Sequence, residues 1–348
     1  MRSGAVHSLI QAAARHVRHR FPARIVRETE IVKALVTGAA GFIGEALVHA
    51  LAARAEVEQV IAVDQMESRA AHPKVGRVAG NLAYPQFARG LITREIDAVF
   101  HLASLVSGGA EQNFELGTKV NLDATRDLLE ACRLAGHAPR FVFTSSIAVY
   151  GGELPDPVTD ATPPSPRISY GAQKLVCEVL INDYTRRGYV DGRALRLPTV
   201  MVRPGTANTA VSGWASAIVR EPLAGRDYVC PVGADTRMAC LSLGRTVEAL
   251  LHAAEVEPGA LGFERSLLLT GIPVAAREMW AAVRRSSSGR SLGRVLFRPE
   301  ETLQPIMDTV PRATRSERAA ALGFRPNASI DEIIEEHLQS IGTSGLSN

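Results

Sequence analysis

Two periodicities alternate along most of the chain. Short apolar runs with β-branched residues at 31–36, 59–63, 97–101 and 140–144 have the length and composition of buried strands. Between the last two, residues 114–134 carry Leu116, Val120, Leu128 and Leu129 at helical spacing, which predicts one long helix bearing Asn121. Strands alternating with helices predict an α/β fold with a doubly wound parallel sheet and right-handed crossovers. Farther along, 267–270 reads as a strand, and 275–284 and 330–341 read as helices, the last opened by Ser329 and Glu332 at capping-box spacing. Pro155, Pro157, Pro163, Pro164 and Pro166 predict a loop lying over the ligand site, and Trp214 and Trp280 read as packing anchors.

The first strand runs into Thr37-Gly-Ala-Ala-Gly-Phe-Ile-Gly44, a strand-turn-helix pattern. In it Gly38 permits the tight turn, Gly41 lets backbone approach a pyrophosphate, and Gly44 lets the helix pack closely on the strand. The second strand ends in Asp64, twenty residues past Gly44, where a carboxylate meets adenosine ribose hydroxyls and repels the extra phosphate of NADP. A strand-end Asp also caps ordinary turns. Two more strand ends deliver small or hydroxyl residues to the same sheet edge, Leu102-Ala103-Ser104 and Ser145-Ser146. The pattern thus divides into an N-terminal extension (1–31), a Rossmann-type NAD-binding domain (32–204) and a mainly substrate-binding lobe (205–348) that returns at least one segment to the sheet.

Tyr170 and Lys174 follow Ser146 at a distance that places them on a later helix, and their i, i+4 spacing puts phenol and ammonium on one face. A phenol with a pKa near ~10 is a poor base at neutral pH unless its anion is stabilised. An ammonium and an oxidised nicotinamide together can supply the roughly 4 kcal/mol that a shift of about three units requires.

These motifs together, TGAAGFIG at 37–44, HLAS at 101–104, Val120-Asn121, TSSIAVYGG at 144–152 and YGAQK at 170–174, resemble the extended short-chain dehydrogenase/reductase family of NAD-dependent epimerases and dehydratases. The resemblance implies that Ser146 and Tyr170 bind the substrate oxygen while Lys174 holds the nicotinamide ribose and tunes the tyrosine. It extends the cofactor contacts to Phe42, Ile43, Asn81, Leu82, Leu102, Ala103, Ser104, Pro198 and Val200. Asn81 stands where the family usually has an acid at the adenine. The positions after the hydroxyl are Ile147 and Ala148, which cannot shuttle protons, so a dehydratase is not the expected activity.

The stretch from Asp191 to Gly225 is similar to a subgroup that oxidises the C2 hydroxyl of a four-carbon sugar acid with NAD. That similarity implies substrate contacts at Thr199, Arg203, Asn208 and Arg237, with Arg203 or Arg237 holding the carboxylate, whereas in extended relatives an arginine near Arg237 faces a nucleotide-sugar diphosphate. Thr206 and Ala207 depart from the subgroup's pattern. The competing activities are a nucleotide-sugar 4-epimerase and, in a different class, a non-catalytic NAD-sensing scaffold. A homodimer is implied by the resemblance, through the helices following Asn113 and Tyr170.

Composition narrows the partners. With 46% apolar and 22% charged residues, the 348-residue chain can bury a full core. No run approaches the roughly 18 apolar residues of a membrane helix. The net charge of +3 owes to residues 1–30, which hold six arginines against two glutamates; the rest is slightly acidic, so nucleic acid is not an expected partner. Cys132, Cys177, Cys230 and Cys240 lack metal-ligand spacing and read as reduced thiols of a cytoplasmic protein. The Arg- and Ala-rich leader reads as a mis-assigned start ahead of Val32.

Overall fold

The first predicted strand forms β1 (Lys33–Thr37) in a computed structural model that describes residues 33–205, 210–287 and 289–344. The expected extension at 1–31 lies outside the described residues. After β1 come β2 (Gln59–Asp64), β3 (Val75–Ala79), β4 (Ala98–His101) and β5 (Arg140–Ser146). With strands Asp191–Leu197 and Ser266–Leu268 they build one seven-stranded parallel sheet. Its order is 266–268, 191–197, β5, β4, β1, β2, β3. The central strands are covered on both faces, with Leu35, Val99, Phe100, Phe141 and Val142 fully buried. That is why they read as continuous apolar runs rather than alternating ones. The order reverses between β1 and β4, and ligands of such sheets bind outside the carboxyl ends at that point.

Helices Phe42–Ala52 and Leu243–Glu255 cover one face of the sheet through Leu47, Val48, Leu51 and Leu250. The other face is covered through Leu128, Leu129, Cys132, Cys177 and Ile181. These belong to the predicted long helix and to helix Ser169–Arg186, which bears Tyr170 and Lys174. The long helix changes pitch partway: Phe114–Gly117 is α-helical, Thr118–Asp123 forms a π-helical turn, and Ala124–Ala135 resumes the α-helix. Apolar spacing marks the helix but not that turn, whose Asn121 carbonyl accepts side-chain donors, Thr125 Oγ1 at 2.8 Å and Cys177 Sγ at 3.2 Å. Gly136, at φ 72°, ends the helix in the left-handed conformation that favours glycine.

The later residues gather around a second core containing Trp214, Ile218, Met238, Met279 and Ile334. A small sheet enters it, in which Arg237–Ser242 pairs antiparallel with Ile272–Ala275 and parallel with Thr199–Met201. Trp214 donates its indole N–H to Met307 Sδ at 3.0 Å, and Trp280 packs partly buried on the same cluster. Part of the chain after 204 returns to the large sheet, where Leu243–Glu255 packs on it and Ser266–Leu268 extends its edge. None of the five prolines of the loop lines the ligand cavity, although Ile168 just after them does. Val158–Thr159 within the loop pairs with Thr314–Arg315, and Val158 is buried beside Tyr150 and Leu268, so burial of that valine draws the loop aside.

Gly44 shows how tightly the first turn is packed, since a Cβ there would lie 2.0 Å from the Gly38 carbonyl oxygen. Gly44→Ala is expected to destabilise the protein by about 1–3 kcal/mol, seen as a lower urea midpoint at unchanged m-value.

Candidate active site

The carboxyl ends of β1, β2, β4 and β5 open into a cavity of about 410 Å³. Gly38 allows the β1 turn to press on the end of β4, because a Cβ at Gly38 would come within 2.7 Å of the Ala103 amide nitrogen. Gly41 caps helix Phe42–Ala52 with no side-chain hydrogen bond. The first amides of that helix, at Phe42, Ile43 and Gly44, therefore remain available to an anionic oxygen. Asp64 lines the cavity and also braces the loop, accepting from Ala40 N at 3.0 Å and Gln65 N at 2.7 Å. The turn-bracing reading is what these bonds show, and the same carboxylate still lines the cavity. Leu82, Leu102 and Ala103 line the same wall. Asn81 lines it too, with its side-chain Oδ1 accepting from Ala83 N at 2.8 Å.

Beneath this wall runs a buried polar network. Thr125 Oγ1 donates its proton to Asn121 O, so His101 Nε2, 2.9 Å away, must be the donor between those two side chains. His101 Nδ1 then accepts from Thr37 Oγ1 at 2.7 Å, and Thr37 Oγ1 accepts from Ala103 N at 3.3 Å. The imidazole is neutral, its pKa pushed down to about 3 by burial and by the nearby Lys174 charge. Asn121 Oδ1 accepts from Ser104 Oγ at 2.9 Å and Leu105 N at 2.7 Å, and its Nδ2 donates to Gln173 Oε1 at 2.7 Å. One chain of hydrogen bonds thus joins β1, β4, the π turn and the helix of Tyr170.

Ser146, Tyr170 and Lys174 converge on the cavity as predicted from their spacing. Ser146 closes β5 and accepts from Ala148 N at 3.1 Å. Burial raises the Tyr170 pKa, opposed by its side-chain hydrogen bonding with Ser104 and Ser146 and by the charge of Arg203. Lys174 is 1% exposed, its Nζ 4.5 Å from the Phe143 ring centre and 5.5 Å from that of Tyr170. Among the described residues that ammonium has no hydrogen-bond acceptor, and burial lowers its pKa to about 8. The sequence assigned stabilisation of the phenolate to Lys174 and the cofactor. The geometry adds Ser104 and Arg203, which only the packed strand ends bring to the phenol.

Of the remaining candidates, Pro198, Thr199, Val200 and Arg203 line the cavity. Arg237 is exposed at the start of its strand and does not; its neighbour Met238 faces the cavity instead, as strand alternation requires. Asn208 lies outside the described residues. Arg203 is half-buried, and among the described residues its guanidinium makes no ion pair and no hydrogen bond, resting instead 5.6 Å from the Phe42 ring centre. Burial lowers its pKa, opposed by Tyr170. An apolar wall of Met238, Met307, Val310 and Pro311 completes the cavity. Nothing in the sequence marked it, because its members come from separate segments of the second core.

An uncapped helix N-terminus, the Asp64 carboxylate and a buried ammonium lacking an acceptor suit a dinucleotide's pyrophosphate, adenosine ribose and nicotinamide ribose respectively. This sheet and cavity define a nicotinamide-dinucleotide enzyme. The chain belongs to the NAD dependent epimerase/dehydratase family, whose model matches residues 34–257. It is an NAD-dependent oxidoreductase. Similar proteins include the D-erythronate dehydrogenase of Cupriavidus necator, 44% identical over 88% of this chain and 98% of that protein. The D-erythronate dehydrogenase of Haemophilus influenzae is 37% identical over 88% and 99%. Among solved structures, a nucleoside-diphosphate-sugar epimerase from Agrobacterium tumefaciens superposes with a TM-score of 0.84 at 35% identity, covering 92% of this chain and 97% of that one.

The His101 network sets an acid limit on stability. With a folded pKa far below the unfolded value of about 6.5, His101 contributes fully above that value, and its contribution is lost as pH falls from there toward 3. Stability should fall by up to about 1.4 kcal/mol per pH unit in that window. Urea midpoints between pH 7 and 4 check this, and His101→Gln should flatten that part of the profile.

Proposed function

We propose that the protein oxidises the C2 hydroxyl of a small sugar acid, D-erythronate, to 2-oxo-tetronate with NAD, using Ser146, Tyr170 and Lys174. The observation that carries this reading is Arg203, a half-buried cation with no counter-charge among the described residues, beside the phenol in the cavity. A hydroxyl presented to Tyr170 and Ser146 with a carboxylate on the adjacent carbon pairs with that guanidinium. The names of the two relatives above point to the same acid. A nucleotide-sugar substrate would set a second charged group, its diphosphate, against a wall of Met238, Met307, Val310 and Pro311.

Ser146 holds the C2 oxygen. Tyr170, as phenolate, takes the proton from it. Ser104, Ser146 and Arg203 offset the desolvation that otherwise keeps the phenol protonated. Lys174 adds its positive charge beneath the rings of Phe143 and Tyr170, and its free donors suit ribose hydroxyls. Bound NAD supplies the acceptor for the C2 hydrogen and its electron pair. Orientation of the reactants contributes roughly 7–11 kcal/mol and the general base about 10²–10⁴-fold.

Purified protein with D-erythronate and NAD should produce NADH, and Tyr170→Phe should lower kcat/KM by at least about 100-fold. Arg203→Gln should raise KM for the acid about 10–100-fold while changing NAD affinity little. Interconversion of a nucleotide sugar without net NADH would favour the epimerase reading instead.

The reading includes a homodimer. Phe114, Leu116, Val176 and Val179 are exposed by 67%, 40%, 44% and 63% on two neighbouring helices, more apolar surface than an isolated face needs. Val179→Asp should halve the mass measured by light scattering.

A further inference from the structure

The anchoring of Arg203 has an unusual basis. Its backbone is fixed at both ends, the amide donating to Ser216 Oγ at 3.0 Å and the carbonyl accepting from Arg220 Nη1 at 2.8 Å. Its side chain has no such support: among the described residues no carboxylate and no hydrogen-bond acceptor holds the guanidinium. What it has is the ring of Phe42, 5.6 Å from Cζ to the centroid. Both residues line the cavity.

A cation–π contact with an aromatic ring consumes none of the guanidinium's N–H donors. An ion pair or backbone hydrogen bond would instead occupy the same donors that a substrate carboxylate needs. Phe42 is also the first residue of the helix whose N-terminus suits the pyrophosphate, so its backbone is held by the glycine turn while its side chain faces the second half of the site. A long, rotamer-rich side chain left without a shelf would lose conformational freedom only on binding and so bind more weakly.

We propose that Phe42 is a positioning residue for the acid substrate: its ring is the shelf that presents the edge of Arg203 to the substrate carboxylate, in addition to whatever its backbone amide does for the cofactor. This rests on Arg203 being the carboxylate anchor, and the two claims can fail separately. The specificity for an acid then depends on an aromatic residue inside the glycine motif.

The experiment is a double-mutant cycle with Phe42→Leu and Arg203→Gln. KM and kcat are measured for D-erythronate, and calorimetry gives the affinity of D-erythronate for the NADH-loaded protein. Phe42→Leu should weaken the acid about tenfold, clearly more than it weakens NADH, and Phe42→Trp should keep the acid's affinity near that of the parent. In the Arg203→Gln background Phe42→Leu should have no further effect, whereas damage to the fold or the nucleotide site would persist there. The inference is overturned if Phe42→Leu leaves acid affinity unchanged, weakens NADH in step, or costs as much with Arg203 absent as present. If Arg203→Gln itself leaves acid affinity intact, the carboxylate anchor is misassigned and the shelf falls with it.

Discussion

The site depends on a small set of buried hydrogen bonds centred on His101 and Asn121. They tie the carboxyl ends of β1 and β4 to the π turn of the long helix and, through Gln173, to the helix carrying Tyr170 and Lys174. In a poorly polarisable interior such a network is strong when every member is satisfied and costly when one is lost. Donor counting satisfies both nitrogens of the imidazole and leaves it neutral. Ser104 is consequently fixed on one side by Asn121 and meets the phenol on the other. The Tyr170 phenol is thus held in the cavity by a network that reaches back to β1 and the π turn.

Around this frame two cations lack partners among the described residues. Lys174 lies under aromatic rings and Arg203 on one, and burial depresses both. Elsewhere buried charge is paired: Glu178 meets Arg196 through three contacts of 2.7–3.1 Å and accepts from Ser145 behind the site, while Arg196 Nη1 reaches Tyr150 OH at 2.7 Å. Unpaired charges gathered in one cleft, beside a paired network a few residues away, are the electrostatic signature of a place where ligands complete the pairing.

The sheet was legible in the sequence because its central strands are covered on both faces and so carry unbroken apolar runs. The glycine turn was legible because close backbone approach admits no other residue, and the Ser146, Tyr170 and Lys174 set because helix geometry converts a spacing of four into one face. What escaped depends on contacts between distant segments. Apolar spacing is blind to the pitch change at Thr118–Asp123. Two arginines were equivalent by composition until strand alternation turned Arg237 to solvent and brought Met238 to the cavity. The prolines before Tyr170 marked a loop correctly but not its direction, which the burial of Val158 decides. The apolar wall came from residues that only the second core assembles.

The central claim is that this cavity removes hydrogen from the carbon bearing the hydroxyl beside an acid group. The direct measurement is the fate of the isotope when D-erythronate labelled with deuterium at C2 is turned over with NAD. The account predicts deuterium in the reduced cofactor and 2-oxo-tetronate as the product. Deuterium released to water or retained in an isomerised acid, with no label in the cofactor, would contradict it.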